Sequence, residues 1–435
     1  MRRRSTLVLA VFMILSVLMA ACSSKDAAQP QTQTPAQQPA KAKDPVTLNV
    51  WSWRPQDKDL WVKVEEKLKA QGENVTIEFR GIKSTDYDSV LQTSMAGGEG
   101  PDVFTVRAGS GTKKYAEANQ IEPLDSIKFD GFDKGILDQT AFNGKTYAVP
   151  FAVQTLTFFY NKDIFTKNNI QEPKSWDELI KTMDALKAKG ITPLAMGGKD
   201  AYALCLIVDA IGATDLGDQW ATDAIAGKTN FADPKFVDVL KKVDLLKQYA
   251  QKDFMATAQK DARTAFATGQ TAMILDGIWA VETYYLKTDP NIKLGSFLAP
   301  ANKAGDPVRQ YAYVDGGYAV NAKTKVKDAA MKAAAYTAGA EFAQAYADLN
   351  AEIPGNKNVK FPDTKPMLKK AVDERNSVPL KVNFRIRSPF DSGAPDISTS
   401  LGANLQGMLA GKINPQQAAE AVQKDLASWY PAFKK

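Results

Sequence analysis

Val46-Thr47-Leu48-Asn49-Val50-Trp51 is the stretch on which the fold turns. It is rich in β-branched and aromatic residues and reads as a strand. Beyond it, Leu60, Trp61, Val64 and Leu68 recur at helical spacing. Val75-Thr76-Ile77-Glu78-Phe79 reads as a second strand. Tyr87, Val90, Leu91 and Met95 mark a helix that stops at Gly97-Gly98, and Pro101–Val106 supplies a third strand. Strands alternating with helices predict an α/β domain built on a parallel sheet.

Further along, Phe142-Asn143-Gly144-Lys145 carries the Asn-Gly pair of a tight hairpin. Thr155–Tyr160 is another β-rich run. Ser175-Trp176-Asp177-Glu178 reads as a capping box opening a helix that ends at Gly190. Ile191–Met196 and Thr271–Leu275 read as strands, with Phe236, Val239, Leu240 and Val243 on an amphipathic helix between them. Tyr311–Asn321 reads as one more strand and Asp328–Leu349 as one Ala-rich helix. Asn414-Pro415 begins the last helix, with Asn as cap and Pro in the first turn.

Upstream of the first strand the chain changes character. Arg2, Arg3 and Arg4 precede an apolar run, Leu7–Ala21, interrupted by Ser16. It falls short of the roughly 20 residues needed to span a bilayer and fits the apolar core of a secretory signal. It ends in Leu18-Met19-Ala20-Ala21-Cys22, small residues before a Cys at the cleavage point, which resembles a bacterial lipobox. The expectation is a signal peptide over 1–21 and a lipidated Cys22. Residues 22–45 form a flexible tether of Gln, Ala, Pro, Lys and Thr that cannot build a core. Cys205, in an apolar stretch, is then a free buried thiol.

The 435 residues suit two domains, and 44% apolar with 24% charged residues is ordinary for a globular chain. No clustered basic stripe accompanies the net charge of +6, so nucleic-acid binding is not expected. The chain has no His, which excludes Ser-His-Asp and Cys-His catalysis and His-ligated zinc. No phosphate-binding or dinucleotide fingerprint stands out. No cofactor, metal or catalytic residue is expected.

An ordered series of short motifs runs through nearly the whole exported part. It comprises Trp51-Ser52-Trp53, Gly100-Pro101-Asp102-Val103, Tyr147-Ala148-Val149-Pro150-Phe151 and Phe159-Tyr160-Asn161-Lys162-Asp163. Then come Pro173–Leu179, Gly269–Met273 with Asp276-Gly277-Ile278-Trp279, Gly316-Gly317, and Leu409–Pro415. Each is weak alone, but the order is specific. It resembles family-1 extracellular solute-binding proteins of ABC importers, the maltodextrin and multiple-sugar group. The resemblance implies a periplasmic-binding-protein-like α/β fold, two α/β lobes joined by a hinge of crossing segments. The lobes would take residues 46–153 and 296–350, and 154–295 and 351–435. The crossings would fall near Val153–Thr155, Gly295–Phe297 and Glu352–Gly355. It also implies a monomer facing the extracellular side, held to the cell membrane by its lipid, that passes a carbohydrate to permease subunits of the importer.

A sugar presents hydroxyls at its rim and C–H faces above and below, so its site needs flat aromatic rings and planar hydrogen-bonding groups. Trp53 and Arg54 follow the first strand, Arg107 closes the third, and Gln154 falls at a crossing. Asp276 follows a buried strand, and Trp279 matches the family's stacking aromatic. Tyr313, Asp315 and Gly316 sit at a break in the last long strand, where glycine lets backbone approach a ligand. Arg385 and Arg387 are not oriented by the sequence. The alternatives are a non-sugar solute such as an amino acid, polyamine or phosphate ester, a secreted glycosidase using two carboxylates, or a lipid-anchored chaperone.

Overall fold

The computed structural model describes residues 44–361, 363–377 and 388–434; the leader, Cys22, Arg385 and Arg387 lie outside them. Its strands are β1 (Val46–Ser52), β2 (Val75–Gly81), β3 (Val103–Arg107), β4 (Ala141–Phe142), β5 (Lys145–Thr146), β6 (Val149–Pro150) and β7 (Ala152–Asn161). They continue as β8 (Thr192–Ala195), β9 (Thr271–Gly277), β10 (Leu294–Phe297), β11 (Ala312–Val314), β12 (Gly316–Val320) and β13 (Ile353–Pro354).

The first sheet runs β2-β1-β3-β12-β6. β1 pairs parallel with β2 from Val46↔Val75 to Ser52↔Gly81, and with β3 at Val50↔Val103. Leu48, Val50 and Ser52 point inward at the strand's period of two. The all-parallel pattern is broken by one strand: β12 pairs antiparallel with β3 on one side and with β6 on the other, so β6 runs in the direction of β3. Helix Lys58–Ala70 lays Leu60, Trp61, Val64 and Leu68 on this sheet. With Phe104, Tyr318 and Phe342 they form the first core.

The second sheet runs β10-β7-β9-β8. Both faces of β7 are covered. Phe158 packs toward the core that includes Leu194, Leu204, Phe236, Leu401 and Leu426. Phe159 packs the other way, with Phe266, Ile274 and Leu368. A strand buried on both faces reads as a continuous apolar run, which is why Thr155–Tyr160 shows no alternation. Each fully buried Leu or Phe contributes about 1.5–3 kcal/mol relative to exposure.

Local chemistry sets the element ends. Asn143 (φ 48°) and Gly144 (φ 78°) both adopt the left-handed conformation that joins β4 to β5. Ser175 Oγ accepts from the Glu178 N–H, while the Glu178 carboxylate reaches the Lys174 N–H rather than closing the expected box on Ser175. Asn414 and Gln417 close theirs fully. The single helix expected over 328–349 is two, Lys327–Thr337 and Ala340–Asn350. Gly339 is extended there, and the Ala338 carbonyl, released from the helix ladder, accepts from Asn356 Nδ2 at 3.0 Å.

Three backbone segments lie side by side between the sheets. The start of β7 pairs antiparallel with β11, Gln154 opposite Tyr313, and with β13, Val153 opposite Ile353. The crossing expected at Gly295–Phe297 is therefore at Ala312–Val314. β10 instead pairs with Phe158–Asn161 inside the second sheet. The boundary expected after residue 295 moves with it, because Phe297, Ala299 and Tyr311 pack in the second core and β12 opens the return to the first sheet.

Candidate functional site

β1 delivers Trp53 and Arg54 to the three crossings. Trp53 is buried. Its ring meets Tyr87 edge-on at 5.4 Å and Phe151 at 5.8 Å, and the Arg107 guanidinium lies 4.1 Å from its centroid. Gly316 is required against it, since a Cβ there would stand 2.5 Å from Trp53 Cη2. Arg107 is anchored by Ser84 Oγ at 3.0 Å and by Asp88 at 3.6 Å.

Arg54, 4% exposed, lies among three carboxylates. Its Nε donates to Asp57 Oδ2 at 3.0 Å, Nη1 to Asp315 Oδ2 at 3.3 Å, and Nη2 to Glu352 Oε1 at 2.6 Å. Phe151 and Tyr346 rings lie 5.3 and 5.6 Å from the guanidinium. Tyr318 and Asn350 donate to Asp57, and Tyr346 and Gln154 Nε2 donate to Glu352 Oε2. Burial disfavours charge on Arg54, but Asp57 and Glu352 outweigh it and hold its pKa above the ordinary value. Burial pushes the Asp57 and Glu352 carboxyls up, an effect Arg54 only partly offsets. Asp315 is the most exposed carboxylate of the three, at 12%.

A second buried pair closes β9. Asp276 accepts from Arg263 Nε at 2.6 Å and Nη2 at 2.9 Å, from Tyr285 Oη at 2.8 Å and from the Gly277 N–H at 2.9 Å. This ties the strand to helix Gln259–Ala267 and to the π-helical turn Val281–Tyr285. The half-buried Trp279 folds back over Gly277, where a Cβ would stand 1.7 Å from its ring. Tyr284 and Tyr202 remain 36% and 43% exposed, and the Arg263 guanidinium lies 4.3 Å from the Tyr284 centroid.

Trp53, Arg54, Arg107, Gln154, Tyr313, Asp315 and Gly316 thus meet at the crossings. Asp276 and Trp279 adjoin them through β9, whose Gly277 pairs with Leu156 and whose next residue, Ile278, donates its N–H to the Thr155 carbonyl. Three expectations change. Arg54, Gln154 and Asp276 are buried and hold other protein groups, because a buried charge or amide requires internal partners. Asp57, Glu352, Arg263, Tyr202 and Tyr284 were not singled out from the sequence. The Gln259/Arg263 pair on one helical face was the one available signal for the Asp276 cluster.

Two α/β sheets joined by three crossings, with aromatic and polar side chains collected where they cross, define a two-lobed binding-protein architecture. Residues 52–344 match the model for bacterial extracellular solute-binding proteins, and the chain belongs to that family. It is similar to an uncharacterised ABC-transporter extracellular-binding protein of Pyrococcus horikoshii, 26% identical over 87% of this chain and 86% of that one. It is also similar to the multiple sugar-binding protein of Streptococcus mutans, 23% identical over 93% and 96%. A solved chitin oligosaccharide binding protein superposes with a TM-score of 0.78 at 26% identity, covering 89% of this chain and all of that one. Among the described residues no helix is long and apolar enough to cross a membrane.

Proposed function

We propose that this chain captures a sugar or oligosaccharide between its two lobes and delivers it to the permease of an ABC importer, as a monomer held to the outer face of the cell membrane by lipid on Cys22. The observation that carries this reading is the gathering of partly exposed aromatic and polar side chains at and next to the crossings: Tyr202 and Tyr284 are 43% and 36% exposed, and Trp279, Tyr313 and Asp315 are half-buried. Rings stack on sugar C–H faces, and the carboxylate accepts from hydroxyls. The sugar-binding names of relatives in the family support the same ligand class. Arg54, Gln154, Arg107, Trp53 and Asp276 shape this surface from behind, and Gly316 keeps the backbone close. Binding favours a closed lobe angle, which the importer reads; no chemical step on the sugar is required.

A thermal-shift panel tests the proposal, because a ligand that binds only the folded state adds about 2.7 kcal/mol at a hundredfold excess over Kd. Galactose, raffinose, maltotriose and diacetylchitobiose are set against amino acids, polyamines and sugar phosphates. A saturable rise in Tm with a neutral sugar alone is the expected result. A rise with another class and none with sugars overturns it. Release of smaller sugars during incubation with an oligosaccharide would contradict pure binding.

A further inference from the structure

Arg54 stands where all three crossings can be held by one side chain. It leaves the end of β1, in the first sheet. Asp315 comes from the second crossing and Glu352 from the third, and both accept from its guanidinium. Gln154 comes from the first crossing and donates to the same Glu352. Backbone bonds run alongside: the Asp315 N–H donates to the Ala152 carbonyl at 3.0 Å, and the Gly355 N–H to the Phe151 carbonyl at 3.1 Å.

The members differ in access. Arg54, Asp57, Gln154 and Glu352 are buried, whereas Asp315 keeps 12% exposure. Asp315 also makes the longest of the three carboxylate contacts to Arg54, and among the described residues only its Oδ2 is engaged. A donor arriving from the cleft can therefore compete for Asp315 without opening the rest of the network.

We propose that Arg54 is the pivot of the hinge, and that ligand contact with Asp315 is transmitted through Arg54 and Glu352 to the crossings. The physical basis is the sharing of one cation. Drawing the Asp315 carboxylate toward a hydroxyl shifts the guanidinium toward Glu352 and Asp57, and Glu352 in turn holds Gln154. A change at one crossing is thereby felt at the other two. Arg54 and Glu352 are positioning residues in this scheme, since neither reaches the cleft. The inference rests on the reading that the lobes close on a ligand.

The test uses Asp315→Asn, Glu352→Gln and the double variant in the otherwise intact chain. Each substitution keeps the side chain's shape and removes one charge; Asp315→Asn keeps an acceptor for Arg54, whereas Glu352→Gln exchanges one of its two acceptor oxygens for an NH2, so retention of the fold is checked by Tm. Calorimetric affinity for raffinose, maltotriose and diacetylchitobiose is measured beside the solution radius of gyration with and without sugar. Asp315→Asn is expected to weaken affinity about tenfold. Glu352→Gln, remote from the sugar, is expected to shift affinity at least threefold and to alter the radius of the ligand-free protein. The combined effect should depart from the product of the singles by threefold or more, as expected for groups in one network. Wild-type affinity and radius in Glu352→Gln, or strictly multiplicative effects, would overturn the pivot. If no sugar binds, the sugar reading fails by itself. The ligand-free radii of wild type and Glu352→Gln then decide the hinge, an unchanged radius refuting it.

Discussion

Arg54 and Glu352 stand 298 positions apart in sequence, yet Nη2 and Oε1 meet at 2.6 Å where the chain crosses between its two sheets. Asp57 and Asp315 share the same guanidinium. Two of these carboxylates, Asp57 and Glu352, are fully buried, so their ionisation is disfavoured and folding is coupled to pH.

The sign follows from the direction of the shifts. The Asp57 and Glu352 carboxyls titrate above their ordinary values in the folded protein because burial penalises the charged form. Their contribution to stability is present in full below the ordinary carboxylate pKa, about 4, and is lost as pH rises through the raised values. As pH rises above the ordinary carboxylate range, wild-type stability should fall more than that of Glu352→Gln, which removes one of the two groups. Parallel pH profiles from denaturant titration would show that Glu352 does not titrate differently in the folded state.

The Asp276–Arg263 pair is a stability element. Asp276→Ala leaves the Arg263 guanidinium buried with no carboxylate, and breaking such a pair costs about 3–5 kcal/mol. Equilibrium unfolding of this variant should show that loss, and Asp276→Asn a smaller one, because the amide retains an acceptor for Arg263.

Tyr284 is exposed and serves no core. Tyr284→Ala should leave Tm within a degree or two while weakening sugar affinity roughly tenfold, about 1.4 kcal/mol. Isothermal titration with the sugar that raises Tm most would check it, and unchanged affinity would remove Tyr284 from the ligand surface. Trp279→Ala should weaken affinity as well, but with a lower Tm, since its ring also packs on both faces of the second sheet.

Gly316 has no room for a side chain. An added Cβ would stand 2.4 Å from the Val106 carbonyl oxygen and 2.5 Å from the Trp53 ring. Gly316→Ala should therefore cost about 1–3 kcal/mol through overpacking, and shift Trp53 fluorescence.

Cys22→Ala should block lipid attachment while leaving the folded part intact. The variant is expected in the culture medium rather than the membrane fraction, without incorporation of labelled fatty acid. Retention of label or of the membrane fraction would refute anchoring through Cys22.

Much of this protein was legible in local sequence. β1, β2 and β3 announce themselves by β-branched runs between helices, and the Asn143-Gly144 turn and the Asn414 cap follow from single-residue conformational preferences. Those signals are local, acting over a few bonds, so they survive in the one-dimensional chain. The position of Trp53, Asp276 and Asp315 at or beside strand ends was legible too. Their roles were not. Whether Arg54 faces a ligand or three carboxylates depends on Asp57, Asp315 and Glu352 arriving from separate segments, and the burial that makes such pairing obligatory exists only after packing. The second crossing was misplaced for the same reason. Leu294–Phe297 and Ala312–Val314 are both short β-rich segments, and only their registers on β7 decide which one joins the sheet and which one crosses. Propensity and periodicity belong to the sequence; partner choice belongs to the tertiary structure, because it is made by contacts between residues hundreds of positions apart.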